Sequence, residues 1–416
     1  MEAEFIRNGE FVPDGVSLDR LLAECPTPVY LYSAGSIRRK YGMLAAAFPG
    51  YDFFYSFKAN PNLNICRMLL EMGACADVSS MGELKAALSV GFRPENIAFV
   101  GPGKTDEEIA FAIEKGIYAI AAESAYEIRT IESTAARLGR QARVLLRINT
   151  LEEPISPEMM VGQASKFGID EESVVEEVGR IKLKHARIIG VHVYSASQVL
   201  DTDFIAGHLG YVLDLSLGLA RALDFDLECI DFGGGFGVPY GEGETELDLE
   251  PIAKAARDVR RRLQAERPAC RMIFEVGRYL VAEAGVFLTR AIRVKPSRGK
   301  TFIITDGGMN HFSRPVFMRV AHPVRLVNKI AMERNTPCSV AGPICTPVDV
   351  VARDVMLPEP EPGDIVGIFG AGAYGYTMSI LNFMSLGWPA EVMVEGGRIR
   401  LIRKPKPAEA FFPDQA

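Results

Sequence analysis

Residues 53–101 read FFYSFKANPNLNICRMLLEMGACADVSSMGELKAALSVGFRPENIAFVG, and the periodicity of this stretch decides the fold. It holds three short apolar runs, FFYSFKA (53–59), CADVSS (75–80) and IAFVG (97–101), separated by segments of helical pattern. Working outward, the unit recurs through YAIAAE (118–123), RVLLRIN (143–149), IIGVHVYS (188–195), CIDFGGG (229–235) and MIFEVG (272–277). Strands apolar almost throughout are buried on both faces, and alternation with helices pairs them in parallel through right-handed crossovers. Eight units imply a closed (β/α)8 barrel of the α/β class. Helix signals agree: Thr105 with Glu108 and Ser80 with Glu83 have capping-box spacing, Ile109, Ala112 and Ile113 form an apolar stripe, and Gly116 suits a C-cap.

After residue 281 the texture changes to β-rich runs, VFLTRAIRV, TFIITDGG, IVGIFGAG and AEVMVEGGRIRLI, with PSRGK and EGGR as hairpin candidates. The expected organisation is a barrel over 36–280 and a mainly β domain over 281–416, with residues 1–35 contributing to that β domain. LPEPEPGD (357–364) reads as a loop and KPKPAEAFFPDQA as a loose tail.

The 416 residues are ample for a large core, and 46 Lys plus Arg against 53 Asp plus Glu give a net charge of -7. That charge supplies no field favouring nucleic acid or an anionic membrane, so a small-molecule enzyme is the expectation. The start MEAEFIRNGEFVPDG has no basic segment followed by an apolar one, and no uncharged apolar run approaches membrane-spanning length. A cytoplasmic protein is expected. Seven cysteines without a CxxC pair fit reduced thiols rather than disulfides or a zinc site, and no metal is expected.

In such barrels functional residues sit at the C-terminal ends of strands. Lys58 ends the first run, where it either carries a carbonyl compound as an imine or projects into solvent. Gly233, Gly234 and Gly235 end the seventh, where exposed N–H groups and the helix expected to follow suit a phosphate; a tight turn without ligand is the competing account. Glu275 and Arg278 end the eighth. They fit a phosphorylated pyridine, or else an internal ion pair. Asp77, Arg147, His192, Tyr194, Ser195 and Ser197 complete a recurring set of polar strand ends, which favours a site.

FYSFKANPN, ADVSSMGEL, KFG, GVHVYSASQ, IDFGGGFG, EVGRYLVAEAG, DGGMN, AGPICTPVD and GAYGYTMS, in this order over nearly the whole chain, resemble the fold-type III pyridoxal-phosphate decarboxylases. That family includes the ornithine and diaminopimelate decarboxylases. The resemblance implies a barrel plus a β domain, pyridoxal 5'-phosphate as cofactor, and a head-to-tail homodimer with shared active sites. It makes Lys58 the lysine that holds the cofactor as an imine, flanked by Asp77 and Arg147. Gly233, Gly234, Gly235, Ser197, Arg278 and Tyr374 become the phosphate group, and Glu275 the partner of the pyridine nitrogen. Cys345, in GPIC, becomes the residue donated by the other subunit to return a proton to the carbon that loses CO2.

Two departures bear on specificity. Tyr194 stands where the family places a histidine on the cofactor ring, and an aromatic side chain can still stack there. Thr346 follows Cys345, where ornithine and diaminopimelate enzymes carry an acid for the substrate's distal ammonium. Both departures are similar to a branch that decarboxylates glutamate tethered to an acyl carrier protein. Arg314, by contrast, stands where diaminopimelate enzymes bind a substrate carboxylate, and Met318 replaces their tyrosine. The leading expectation is α-decarboxylation of an L-amino acid with an uncharged distal end, free or carrier-bound. The alternatives are a decarboxylase of free diaminopimelate, lysine or ornithine, a racemase, and a catalytically inactive partner-binding homologue. Retention of Lys58, Glu275 and Cys345 opposes the last. In 319–334, Arg319, Arg325, Lys329 and Arg334 offer a basic face for an acidic carrier, or simply a solvated surface.

Overall fold

A computed structural model describes residues 2–152, 161–241 and 243–413. The chain forms two compact units. The first comprises Tyr41–Val238 and Glu246–Gly277, and the second Met1–Lys40, Pro239–Thr245 and Arg278–Ala416. Residues 239–245 therefore belong with the β-rich unit, although the sequence reading placed them in the barrel.

The first unit contains all eight expected strands: β1 (Asp52–Ser56), β2 (Cys75–Val78), β3 (Ile97–Phe99), β4 (Ala119–Ala122), β5 (Ala142–Asn149), β6 (Ala186–His192), β7 (Cys229–Asp231) and β8 (Arg271–Val276). All pair in parallel in the order β6-β7-β8-β1-β2-β3-β4-β5, and a β5–β6 ladder closes the barrel. Helices α1 (Leu63–Glu71), α2 (Met81–Val90), α3 (Asp106–Lys115), α4 (Ala125–Leu138), α5 (Val174–Gly179), α6 (Thr202–Ala222) and α7 (Leu249–Glu266) follow the first seven strands in turn.

Local chemistry sets their ends. Thr105 and Glu108 form the full capping box of α3, and Gly116 closes it in a left-handed conformation at φ 66°. At α2 only half of the expected box forms. Ser80 Oγ accepts the Glu83 N–H at 3.2 Å, but the Glu83 carboxylate turns to the N–H of Ser79 at 2.8 Å. The lower barrel interior is filled by Phe54, Cys75, Ala98, Ala119, Ala121, Leu145, Ile189, Cys229 and Ile273, so every strand contributes to one apolar plug. Small residues opposite large ones are what a barrel this narrow accommodates.

The second unit is a sheet around the long strand β9 (Gly285–Ser297), which pairs with β10 (Lys300–Thr305) and antiparallel with the strand Val29–Ser33. Beyond these lie β11 (Thr336–Ala341), β12 (Val350–Leu357), β13 (Ile365–Phe369), β14 (Ala390–Glu395) and β15 (Arg398–Arg403). Both expected hairpins form, turning on Arg298-Gly299 (φ 49° and 78°) and Gly396-Gly397 (φ 54° and 77°), the positive dihedrals a two-residue turn requires. The C-terminal segment is not a loose tail in its first half: Trp388 pairs through its backbone with Lys406, and its ring meets Phe411 edge-on at 5.8 Å. Six cysteines are buried and Cys345 is exposed, all as free thiols. No helix among the described residues is long and apolar enough to cross a membrane.

Barrel closure depends on Gly190, opposite Cys229 in β7 and Leu145 in β5 at a register shift. A Cβ there would collide with the Cys229 carbonyl. Gly190→Ala should lower stability by about 3 kcal/mol through overpacking, read as a clear fall in melting temperature. An unchanged melting temperature would contradict this view of closure.

Candidate active site

Side chains along a strand alternate between faces, so the residue two positions beyond each plug residue points inward again, nearer the strand's C-terminal end. Applied to Cys75, Ala121, Leu145, Cys229 and Ile273, this gives Asp77, Glu123, Arg147, Asp231 and Glu275, all buried. After the bulge in β6, His192 falls level with Arg147 and Asp231. An apolar floor thus carries a charged layer.

Within that layer the charges are matched at short range. Lys58, in the turn Phe57–Ala59 after β1, has its Nζ 3.7 Å from Asp77 Oδ2 and 5.1 Å from the centre of the Tyr194 ring, with its side chain 36% exposed. It neither sinks into the core nor projects freely into solvent. His192 Nε2 lies 3.3 Å from Glu275 Oε1, and Arg147 Nη1 2.6 Å from Glu123 Oε1. His192, Asp231 and Glu275 each offer a donor or acceptor atom within 4.8 Å of the others. Burial pushes the Asp77 carboxyl up to about 7, reinforced by the charge of Glu275 and opposed by Lys58. Asp231 is raised for the same two leading reasons. Burial also acts upward on Glu275, but the charge of His192, then those of Lys58 and Arg147, outweigh it and hold this carboxyl near 2. Three neighbouring buried carboxyls therefore divide into one ionised and two favouring the protonated form.

The glycine run behaves as a cradle. Gly233 and Gly235 take φ 67° and 99°, and Asp231 Oδ1 accepts the Gly233 N–H at 2.9 Å. A Cβ on Gly234 would strike the Glu275 carbonyl, and one on Gly235 would lie 2.5 Å from the Ala196 oxygen. Val199 N–H donates to Gly235 O at 2.8 Å, tying the Ser197 segment to the same loop. The helix expected directly after the glycines is absent. Helix α7 starts only at Leu249, because the chain first runs through Pro239–Thr245 in the other unit, so no helix dipole assists there.

The other expected residues lie in the β-rich unit. Arg278 Nη1 donates to the Tyr240 hydroxyl at 3.3 Å, and its guanidinium sits 4.8 Å from the Tyr374 ring. Arg314 is buried, donates to His322 Nε2 at 2.6 Å and lies 4.3 Å from the Tyr240 ring. Met318 and Cys345 are exposed, and Thr346 is half-buried. The proposed basic face is weaker than the sequence suggested. Lys329 is taken up by Glu361 and Asp364 at 2.8 and 3.0 Å, and Arg325 by Glu2 at 2.8 Å.

Sequence reading missed Glu123 and Asp231, although both stand two residues after a plug residue and that phase would have found them. The barrel site fits pyridoxal phosphate on structural grounds. Asp231 Oδ2 and both Glu275 oxygens are buried without a hydrogen-bond partner among the described residues, and the glycine backbone leaves room that any side chain would fill. Polar atoms so placed await a bound group.

The raised Asp77 carboxyl has a stability consequence. An acid whose folded pKa exceeds its unfolded value favours folding while protonated, so the contribution is full below about pH 4 and fades as pH rises through about 7. Without cofactor, the melting temperature of the wild type relative to Asp77→Asn should fall between about pH 4 and about pH 7. A constant difference would contradict the shift.

Comparison with known proteins agrees with this geometry. Residues 34–282 match the family model for the pyridoxal-dependent decarboxylase, pyridoxal binding domain. The chain is 35% identical to the L-glutamyl-[BtrI acyl-carrier protein] decarboxylase of Niallia circulans, over 97% of this chain and 96% of that one. It is 34% identical to the diaminopimelate decarboxylase of Aquifex aeolicus, over 96% and 94%. The crystal structure of diaminopimelate decarboxylase from M. jannaschii with L-lysine superposes with TM-score 0.90 at 30% identity, covering 99% of this chain and 97% of that one. A closed barrel whose strand ends carry Lys58, Glu275 and a glycine cradle, together with these matches, places the chain in the fold-type III pyridoxal-phosphate-dependent decarboxylases, as a carboxy-lyase.

Proposed function

We propose that the protein removes the α-carboxylate of an L-amino acid whose distal end carries no ammonium, either as an uncharged derivative or tethered to an acyl carrier protein. The observation that carries this reading is Thr346. It supplies a hydroxyl where a distal ammonium would need a carboxylate, and the nearest acid in sequence cannot substitute. Asp349 is buried, and its oxygens accept the N–H groups of Met309 and Ile344 at 2.7 and 3.0 Å. A free diamino acid would thus bring an ion into the pocket without a partner, at a cost of about 3 kcal/mol. The Niallia circulans relative, whose substrate is named as carrier-bound glutamate, supports the tethered form.

Bound pyridoxal phosphate supplies the electron sink that accepts the pair left on Cα when CO2 departs. Lys58 Nζ would hold the cofactor and afterwards accept or return protons beside Asp77. Ionised Glu275 would keep the pyridine nitrogen protonated, and the N–H groups of Gly233–Gly235, with Ser197, Arg278 and Tyr374, would take the phosphate. Tyr194 would cover the ring. Cys345 Sγ, from a second copy in a homodimer, would deliver the proton that replaces CO2 on Cα.

A second reading, decarboxylation of free diaminopimelate, lysine or ornithine, is favoured by Arg314. The His322 and Tyr240 contacts hold its cation rigidly, as a substrate carboxylate would require.

Two measurements test these assignments. Borohydride should fix the cofactor to Lys58, and Lys58→Ala should lose both that adduct and turnover; a Lys58→Ala protein as active as wild type would overturn the lysine's role. Free lysine, ornithine and diaminopimelate should be turned over on the order of a hundredfold less efficiently than a carrier-bound or distally uncharged amino acid, with Thr346→Glu improving the diamino acids. Efficient turnover of any of the three by the wild type would promote the second reading.

A further inference from the structure

Arg147 is gripped on two sides. Its Nη1 donates to Glu123 Oε1 at 2.6 Å, and its guanidinium lies 4.5 Å from the centre of the Phe167 ring. Glu123, just past the end of β4 and 7% exposed, does more than pair with it. The same Oε1 accepts the Gly101 N–H at 3.1 Å, and Oε2 accepts the Gly168 N–H at 2.8 Å. One carboxylate therefore fixes the residue after Phe167, the turn after β3 and the arginine itself. Gly168 could not be displaced by a larger residue without strain, since its φ is 74° and a Cβ would stand 2.7 Å from the Asn149 nitrogen. Glu123 is itself anchored: its N–H donates to Glu127 Oε2 at 2.7 Å, and Glu127 Oε1 pairs at 3.0 Å with Lys104, which also reaches the Gly101 carbonyl. Lys104, Glu127, Glu123 and Arg147 thus form a continuous chain along the ends of β3, β4 and β5, two acids linked through the Glu123 N–H and closed by a cation at each end.

We infer that Glu123 is a positioning residue of the decarboxylase: it sets the orientation of Arg147 at the barrel mouth and offsets part of the positive field that this arginine casts on Lys58 and Glu275. A buried arginine needs a partner, but a partner placed purely for stability need not also bind the backbone on both sides of the cation's aromatic support. The arrangement holds Arg147 as a fixed, partly neutralised charge, and a fixed dipole contributes at the moment of reaction without reorganising.

The test uses the full-length, cofactor-loaded protein and the pH dependence of its visible absorbance. The titratable and charged groups around Lys58 are Asp77, Glu83, Tyr194, Asp231 and Glu275. Those around Arg147 are Glu123 and Glu275, with Lys104 and Glu127 behind Glu123. Glu123→Gln keeps an acceptor for Arg147 but removes the negative charge. The uncompensated cation should then disfavour a protonated group at Lys58 and move the absorbance midpoint down by about half a unit or more. Glu123→Ala removes charge and acceptor together. It should also lower kcat by roughly tenfold or more, with a smaller change in KM, and alter the visible circular dichroism of the bound cofactor. Glu123→Asp, too short to hold Arg147 and Gly168 at once, should retain the wild-type midpoint while losing kcat. A partner serving stability alone would lower the melting temperature in each variant and leave the midpoint and dichroism unchanged. That result in Glu123→Gln, which conserves size and is the variant most apt to fold, would overturn the inference.

Discussion

Every second side chain of a closed parallel barrel must point inward, and at its C-terminal end this chain, apart from the apolar Val100 after β3, places mostly charged or polar groups on that phase. Confined at short range, such groups survive only if each has a countercharge or gives up its own. Arg147–Glu123 at 2.6 Å satisfies the first condition, as does Glu275, which faces Lys58 and Arg147 as well as His192 at 3.3 Å, whereas Asp77, pushed up by burial although Lys58 Nζ lies 3.7 Å away, satisfies the second. Asp231, raised by burial and by Glu275, does so too. The apolar plug below makes this layer expensive to hydrate and therefore sensitive to each member.

The same constraint links fold to chemistry. Glu275 stays ionised because His192, Lys58 and Arg147 face it, and an ionised carboxylate is what a pyridine nitrogen needs to remain protonated. Asp231 shapes the glycine turn through the Gly233 N–H while its other oxygen lies in the cluster, so one side chain serves both the glycine turn and the charge balance. Thr346 and Arg314, the residues on which the proposed substrate readings turn, lie in the β-rich unit. Relatives at nearly equal identity bear the names of different substrates.

Much of this was legible in the sequence. All eight barrel strands, both hairpins and the α3 capping box follow from local periodicity and turn chemistry. Lys58, Asp77, Arg147 and Glu275 stood out because charged residues at the ends of apolar runs are conspicuous. Glu123 and Asp231 did not, because an acid just before a serine or within a glycine-rich turn looks like ordinary cap or turn chemistry. The helix expected after the glycines failed for a topological reason: a seven-residue excursion into the other unit is invisible to periodicity. Lys329 and Arg325 read as a free basic face because their acidic partners, Glu361, Asp364 and Glu2, are distant in sequence.

The most direct test of the central claim, that one carboxylate of the cluster is ionised and its neighbours hold protons, is a carboxyl 13C NMR titration of the full chain without cofactor. Selective aspartate and glutamate labelling, with Asp77→Asn, Asp231→Asn and Glu275→Gln for assignment, would resolve the three groups. At about pH 5 Glu275 should appear as carboxylate and Asp77 and Asp231 as acids, given Asp77 near 7, Glu275 near 2 and Asp231 raised by burial. A protonated Glu275 beside ionised Asp77 and Asp231 at that pH would contradict it.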